Sequence, residues 1–156
     1  MGASCNKPHA IKIKGQWKYL YRAVDKAGQT IDFLLTVHRD KKAAKRFLRK
    51  AIGQHGLPGK ITIDKSGANT AAIEALVEET DHEIEIRQIK YLNNLVEQDH
   101  RAIKRIVRPM LGFQSFRTAR ITLQGVELMH MIKKGQMIMI DGQSLSAAER
   151  FYSLAA

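Results

Sequence analysis

Apolar residues recur at every second position in the first third of the chain, which is the period of β-strands. Residues 11–17 alternate apolar and basic side chains, residues 18–25 are rich in aromatic and β-branched types, and residues 30–38 are again strongly apolar. Turn-forming residues from Asp25 to Gly28 lie between the last two segments. We therefore predict three strands with short connections, which is an antiparallel meander.

After residue 39 the period becomes helical. Asp40 is placed as an N-cap before an apolar stripe spaced three and four residues apart, and Gly53, Gly56 and Pro58 predict the end of this first helix. Helices and strands then alternate. The predicted segments are a strand at 60–64, a helix from residue 69 or 70, a strand at 83–87, and helices at 91–108, 116–134 and 144–152.

The order of these elements predicts the fold class. Three antiparallel strands followed by alternating helix and strand favour an α/β protein with a mixed five-stranded sheet and helices on both faces. That is the order of the ribonuclease H-like fold. Residues 1–10 show no periodicity, so we expect an irregular N-terminus, one domain over residues 11–135 and a C-terminal extension over residues 136–156.

The charge of the chain points to a polyanionic partner. Its 156 residues include 26 Lys and Arg against 15 Asp and Glu, a formal net charge of +11, which favours nucleic acid first and an anionic membrane second. Cys5 is the only cysteine, so an internal disulfide and a cysteine-based zinc site are excluded. No apolar run reaches about 20 residues and no signal peptide is visible, so we expect a cytoplasmic protein without a membrane span.

Segment 91–108 is predicted to be a helix with two faces. The core-facing stripe comprises Val96, Ile103, Val107 and Met110. The polar residues are Glu97 followed by Arg101, Lys104, Arg105 and Arg108. A solvated helix with ordinary ion pairs would show the same pattern. However, no acid occurs from residue 100 to residue 126, and on a strongly basic chain such a run favours contact with DNA or RNA.

Asp64 ends the predicted strand 60–64 and precedes a Lys-Ser-Gly loop. Because function gathers at the carboxyl ends of strands in α/β sheets, we predict that Asp64 and Glu97, 33 positions later, converge on one divalent ion. Oxygen donors of this kind suit Mg²⁺ or Mn²⁺, and two ions about 3.5–4 Å apart would promote cleavage of a phosphodiester. The alternative is an Asp64 that only satisfies the neighbouring loop.

Four other polar residues give weaker signals. Asp25 and Asp32 flank a hairpin turn, so we expect them to shape the turn and to be exposed. His38 and His55 lack partners at the spacing of metal ligands, so we expect them to be structural or solvated.

Three aromatic residues fall close together where the first two predicted strands meet, namely Trp17, Tyr19 and Tyr21. Rings of this kind can stack on nucleic-acid bases. Packing against the core of the sheet is the favoured interpretation.

Five stretches of the chain match the pattern of a known family. They are residues 11–25, 28–35, 61–68 (Ile61-Thr-Ile-Asp64-Lys-Ser-Gly-Ala), 91–105 (beginning Tyr91-Leu-Asn-Asn-Leu-Val-Glu97) and 111–136. Together they resemble the catalytic domain of bacterial DDE transposases of the insertion-sequence-six branch. The resemblance covers nearly the whole chain from about residue 11.

The resemblance implies an integrase-like, ribonuclease H-like fold and magnesium-dependent DNA strand cleavage and strand transfer in DNA transposition. It assigns Asp64 as the second acid of the triad and Glu97 as the third. It also matches Lys104 to a basic position that these enzymes use near the DNA end. The partners it implies are DNA, as transposon ends and target, and further copies of the chain in a homodimer or higher multimer.

The first acid of the triad departs from the family pattern. Members of this branch have it in an Asp-Glu-Thr-Tyr segment just before the strand that starts at Ile11. Here that segment is Lys7-Pro8-His9-Ala10, with Lys7 in the place of the acid. We therefore expect an N-terminally truncated member of the family that folds and binds DNA non-specifically, but cuts it poorly or not at all.

Three other hypotheses remain open at this stage. The chain could be a non-catalytic DNA-binding or regulatory fragment that interferes with an intact transposase. It could be a remnant without a selected role. It could also be another ribonuclease H-like nuclease, such as a junction resolvase, which would prefer branched DNA.

Overall fold

The computed structural model describes residues 2–5, 8–65, 67–89, 94–136, 146, 148–149 and 151–152. Within these ranges the strands are β1 Gly2–Cys5, β2 His9–Ile13, β3 Gln16–Asp25, β4 Thr30–Thr36, β5 Lys60–Ile63 and β6 Glu85–Gln88. The helices are α1 Lys41–His55, α2 Gly67–Thr80, α3 Asn94–Val107 and α4 Phe116–Lys133, and a 3₁₀ turn at Arg108–Met110 follows α3.

The strands form one mixed sheet. β3 is long enough to pair antiparallel with β2 along its first half and with β1 at its end, so β1 and β2 share one line of the sheet. β4 pairs antiparallel with the other edge of β3, while β5 pairs parallel with both β1 and β6. The lines therefore run β4, β3, β1 with β2, β5 and β6. The predicted meander and mixed sheet are confirmed, but the described residues form six strands instead of the predicted five, because β1 was not predicted.

The N-terminus differs from its prediction. Residues 1–10 were expected to be irregular, but Gly2–Cys5 form a strand in the middle of the sheet, and His9 and Ala10 begin β2. The small residues of β1 show no apolar alternation, and the strand is held by pairing with β3 on one edge and β5 on the other. Its conformation is thus set by tertiary context, not by local propensity.

Helices cover both faces of the sheet. Leu20 and Tyr21 are neighbours in β3, so their side chains point to opposite faces. Tyr21 belongs to a buried cluster with Phe47 of α1 and residues of α2, whereas Leu20 packs in a second cluster with Ile103 of α3 and residues of α4. The core therefore consists of two layers, one on each side of the sheet.

Helix α1 begins as predicted. The Asp40 carboxylate accepts a hydrogen bond from the Ala43 amide at 2.9 Å, which caps the helix. Its end is later than expected, because Gly53 lies inside the helix and only Gly56, with a positive φ of 83°, terminates it. The glycine at position 56 adopts this φ without the steric cost that a Cβ would add.

The predicted C-terminal extension is only partly described. The apolar segment 137–140 and most of the helix expected at 144–152 lie outside the described residues. Residues 148–149 and 151–152 are helical, and the amide of Ser146 and the carboxylate of Glu149 form a hydrogen bond of 2.7 Å. The Glu149 amide donates in return to the Ser146 hydroxyl, which makes a capping box.

The β2–β3 hairpin turns through Lys14 and Gly15, which both have positive φ, as a two-residue turn of this kind requires. The connection between α3 and α4 lies along β2. The Phe113 amide donates to the Lys12 carbonyl at 2.9 Å, and the Lys14 amide donates to the Phe113 carbonyl at 2.8 Å. Gly112 permits this approach, because a Cβ there would stand 3.1 Å from the Lys12 carbonyl oxygen.

A buried charge network joins β3 to the two helices on its face. Arg22 of β3 is only 1% exposed. Its guanidinium donates to both carboxylate oxygens of Glu127 in α4, at 2.5 and 2.8 Å, and to Asp99 in α3 at 2.5 Å. The other oxygen of Asp99 contacts His130 Nε2 at 2.7 Å and Lys134 Nζ at 2.8 Å. The carboxylates of Asp99 and Glu127 thus balance the positive charges of Arg22 and Lys134, and this pairing offsets the cost of burying them.

The network also holds the end of α4. Lys134 Nζ donates to the Thr30 hydroxyl at 2.7 Å and to the Gly28 carbonyl at 3.0 Å. The side chain of Gln136 exchanges two hydrogen bonds with the backbone of Thr30. Burial alone would raise the pKa of Asp99, but the His130 hydrogen bond and the charges of Arg22 and Lys134 hold it well below its ordinary value.

Breaking this network at its centre should destabilise the fold. We expect Arg22→Met to lower the free energy of unfolding by about 3–5 kcal/mol, because it leaves the Glu127 carboxylate buried without its partner. Urea denaturation followed by circular dichroism measures the change. Lys60→Met is the matched control, since it removes the exposed ion pair between Lys60 and Glu85 and should have a much smaller effect. Equal losses in both variants would contradict a special role for Arg22.

Candidate DNA-binding face and catalytic edge

Asp64 stands at the carboxyl edge of the sheet. It directly follows β5, is half-buried, and accepts a long hydrogen bond of 3.5 Å from the Asn69 side chain. Because β1 and β5 are parallel and Cys5 lies opposite Ile63, the carboxyl ends of both strands meet at this edge. Burial and the nearby Asp64 carboxylate raise the pKa of the Cys5 thiol to about 12, so this thiol is inert at neutral pH. The predicted position of Asp64 at a strand end is confirmed.

Glu97 lies in the first turn of α3 and is exposed, whereas its neighbour Val96 is fully buried. The described part of the chain contains no group of three His, Cys, Asp or Glu side chains that could hold a metal ion. Lys7, which the resemblance puts in the place of the first acid, lies outside the described residues. Asp64 and Glu97 are hard oxygen donors of the type that Mg²⁺ prefers, but two acids do not complete a three-acid site.

The basic face of α3 is open to solvent. Its cations are Arg101, Lys104 and Arg105 of the helix and Arg108 of the 3₁₀ turn that follows it, all exposed and none of them in an ion pair within the described residues. The opposite stripe of Val96, Ile103 and Val107 is buried, as predicted. The prediction for Met110 is wrong: it is 42% exposed, because α3 gives way to the 3₁₀ turn and the helical stripe does not continue.

Two histidines beneath this face were not singled out in the sequence. His100 is buried, and its ring lies 6.3 Å from that of His9 of β2. Burial, together with nearby cations that include Lys104 and Arg22, lowers the pKa of His9 to about 4 and that of His100 to about 3. Both rings are therefore neutral at pH 7 and add no charge under the basic face. The sequence feature that could have drawn attention to His100 was its position three residues after Glu97 on the same predicted helix.

Three weaker predictions have different outcomes. Asp25 shapes its turn as expected, since its carboxylate accepts from the Ala27 and Gln29 amides at 2.8 and 2.9 Å. Asp32 was expected to be exposed, but it is buried and paired with Lys50 of α1 at 2.6 Å, because it points towards the helix and not towards the turn. His38 and His55 are exposed.

The favoured prediction for Trp17 is wrong. Its side chain is 57% exposed instead of packed in the core. The helices on this face reach Tyr21, which stacks on Phe47 of α1 with ring centroids 5.6 Å apart. Trp17 lies four residues earlier in β3, beyond that cover, and the Lys12 ammonium lies 5.8 Å from its ring centroid.

The histidine pair should make stability depend on pH. The pKa values of His9 and His100 are depressed in the folded state, so the unfolded chain takes up more protons below about pH 6.5. We therefore expect stability to fall as the pH drops from about 6.5 towards 4, while most carboxylates are still ionised. Urea midpoints at pH 7.5 and pH 5 measure this loss. The double variant His9→Asn/His100→Asn should show a flatter profile, and an unchanged slope would contradict the assignment.

No helix in the described part of the chain is long and apolar enough to cross a membrane.

Comparisons with known structures identify the fold. The solved structures that the fold resembles include the catalytic core domain of HTLV-2 integrase in complex with magnesium, with a TM-score of 0.63, 16% identity, and coverage of 92% of this chain and 91% of that one. The catalytic core domain of BIV integrase matches with a TM-score of 0.57 and 13% identity over 99% of this chain and 95% of that one. These likenesses establish the predicted integrase-like, ribonuclease H-like fold.

Sequence relatives narrow the family further. The transposase of the insertion sequence-like element IS431mec from Staphylococcus aureus is 41% identical over 125 residues, which are 80% of this chain and 54% of that protein. The transposase of IS257 in transposon Tn4003, also from Staphylococcus aureus, matches equally well. The chain thus spans about half the length of the curated relatives it matches. A family model described as a DDE domain, of the IS240 transposase type, matches residues 9–136, and the chain therefore belongs to the DDE transposase family of the insertion-sequence-six type.

Proposed function

We propose that this chain is the catalytic-core part of a bacterial DNA transposase. Its role is in DNA transposition, it binds DNA through the basic face of α3, and its strand cleavage and strand transfer are impaired. One observation carries this proposal: Asp64 stands at the carboxyl edge of the central strands of a DDE domain, whereas the sequence has Lys7 where the family pattern has the first acid. The exposed cations that follow Glu97 along α3 support the proposal.

The DNA-binding face has the length and charge that a phosphate backbone requires. Arg101 and Arg108 are seven residues apart, so the face spans about 10 Å along the helix axis. Within the described chain its side chains have no acidic partner, which leaves their charge available to phosphates. Because Glu97 lies in the first turn of the same helix, DNA bound along this face would pass close to this acid. Contacts of this type add affinity without sequence preference.

A divalent ion is the cofactor that the two acids would take. Asp64 and Glu97 would hold Mg²⁺ or Mn²⁺, which supplies an activated oxygen nucleophile to enzymes of phosphodiester chemistry. The family pattern places Lys7 where the first acid would be. A site with a lysine in place of one carboxylate would bind a divalent ion more weakly. Asp64 and Glu97 are proposed to retain weak metal binding only.

Self-association and cellular location are part of the same proposal. The HTLV-2 integrase core is known as a dimeric and a trimeric form with magnesium. By analogy we propose that this chain associates into a dimer or higher multimer on transposon ends and target DNA, in the bacterial cytoplasm.

A regulatory role is the second candidate. A chain that binds DNA through α3 but does not cut it could occupy the ends that an intact transposase needs. The lysine at position 7, where the family pattern has the first acid, favours this alternative. It predicts DNA retention that is unaffected by Asp64→Asn.

DNA binding should depend on the cations of α3. We expect Lys104→Ala/Arg108→Ala to weaken binding to a mixed-sequence duplex and to lower the slope of log affinity against log salt by about 2, one for each phosphate that the variant no longer neutralises. Fluorescence anisotropy at several salt concentrations measures both quantities. Arg49→Ala is the matched control, because Arg49 lies on α1 and its charge is paired with Glu79 at 2.6 Å. Equal effects of the two changes would contradict the assignment of the face.

Cleavage should be limited by the missing acid. In a Mn²⁺-dependent nicking assay on supercoiled DNA, we expect the chain to cut no more than its Glu97→Gln variant. Lys7→Asp should raise nicking above that background by restoring a third carboxylate, and Lys7→Asp/Glu97→Gln should abolish the gain. Robust cutting by the unaltered chain that Glu97→Gln removes would refute the impairment.

A further inference from the structure

A second strip of cations and aromatic rings lies on the opposite face of the sheet from α3. Trp17, Tyr19 and Tyr21 occupy alternate positions of β3, so their side chains point to the same face. Tyr19 and Tyr21 belong to the core layer of α1 and α2, which identifies this face. From Trp17 to Tyr21 the rings extend over about 13 Å of strand.

Trp17 provides an open ring at the outer end of the strip. It is 57% exposed, and Lys12 lies directly opposite it in the β2–β3 register, with its ammonium 5.8 Å from the ring centroid. Lys14 in the hairpin turn is also exposed. An accessible indole flanked by lysines can stack on a base while the ammonium groups contact the neighbouring phosphates.

Arg39 continues the strip towards the catalytic edge. Its guanidinium lies 5.5 Å from the ring centroid of Tyr19. Arg39 also lines a cleft of about 300 Å³, together with Tyr21, Lys65 and Asn69. Lys65 directly follows Asp64 and Asn69 donates to the Asp64 carboxylate, so the cleft opens beside the catalytic edge.

Positive charge predominates along the strip. Lys12, Arg39 and Lys65 are exposed and have no ion-pair partner among the described residues. The acids nearby are Asp40, which is engaged in capping α1, and Asp64 at the inner end. The strip therefore complements a polyanion over most of its length.

We propose that this strip, from Trp17 and Lys12 through Arg39 to Lys65, binds single-stranded DNA and leads it to Asp64. The inference rests on the proposed function, which makes DNA the ligand. A single strand fits better than a duplex, because stacking on Trp17 requires the free face of an unpaired base. A lipid surface fits less well, since only Trp17 of the three rings is exposed.

The only tryptophan of the chain reports directly on this contact. Titration of the full chain with a dT 15-mer at about 0.15 M salt should quench the emission of Trp17, because a base stacks on its ring. A 15-base-pair duplex should quench it far less. Vesicles of phosphatidylcholine with one quarter phosphatidylserine should leave the emission unchanged.

Variants test the affinity with a labelled dT 15-mer in fluorescence anisotropy. Trp17→Ala should weaken binding by about 5- to 100-fold, which is the effect of removing one stacked base. Trp17→Phe should restore much of the affinity, and Arg39→Gln should weaken binding as well. Ile121→Ala is the matched control, because it truncates another exposed apolar residue, on α4.

Three results would overturn the inference: equal quenching by duplex and single strand, a response to vesicles instead of DNA, or the same dT affinity in Trp17→Ala and Ile121→Ala. The proposed function fails separately. If the unaltered chain binds neither duplex nor single strand, DNA binding itself is refuted. If it binds duplex through Lys104 and Arg108 but Trp17→Ala does not change dT affinity, only the strip is refuted.

Discussion

The geometry of the proposed DNA-binding side depends on one buried guanidinium. Arg22 projects from β3 and meets Asp99 of α3 and Glu127 of α4, so a single side chain sets how both helices lie on the sheet. An apolar residue would allow α3 to slide or rotate, whereas directed hydrogen bonds to two carboxylates specify one arrangement. Because Glu97 lies only two residues before Asp99, the same contacts determine where this acid stands relative to the carboxyl edge of the sheet.

The two proposed DNA surfaces, on opposite faces of the sheet, differ in their chemistry. On one side, α3 offers flexible cations without rings, which suits the regular backbone of a duplex. On the other, β3 offers an open ring with cations, which suits unpaired bases. The carboxyl edge with Asp64 lies between these surfaces. An enzyme of DNA rearrangement handles paired and unpaired strands in one reaction, so such a division of labour is consistent with the family to which the chain belongs.

The features that depend on residues close in sequence were predicted correctly. The meander, the cap at Asp40, the strand-end position of Asp64 and the buried stripe of α3 all follow from residues close in sequence. The central strand β1 was missed because its small residues are held by partners far along the chain. The ion pairs of Arg22 were missed for the same reason, because Asp99 and Glu127 lie 77 and 105 residues later in the chain. The exposure of Trp17 depends on where α1 and α2 stop covering the sheet, which periodicity does not encode.

The anchoring of Gln136 has a practical consequence. Its side chain is tied to Thr30, and Thr30 pairs with Val24 near the β3–β4 turn, at the end of the sheet remote from Asp64. A linker that leaves the domain after this residue therefore starts on the far side from both proposed DNA surfaces. For immobilisation on a sensor chip or attachment to a bead, a tether at that point would leave both surfaces facing the solution.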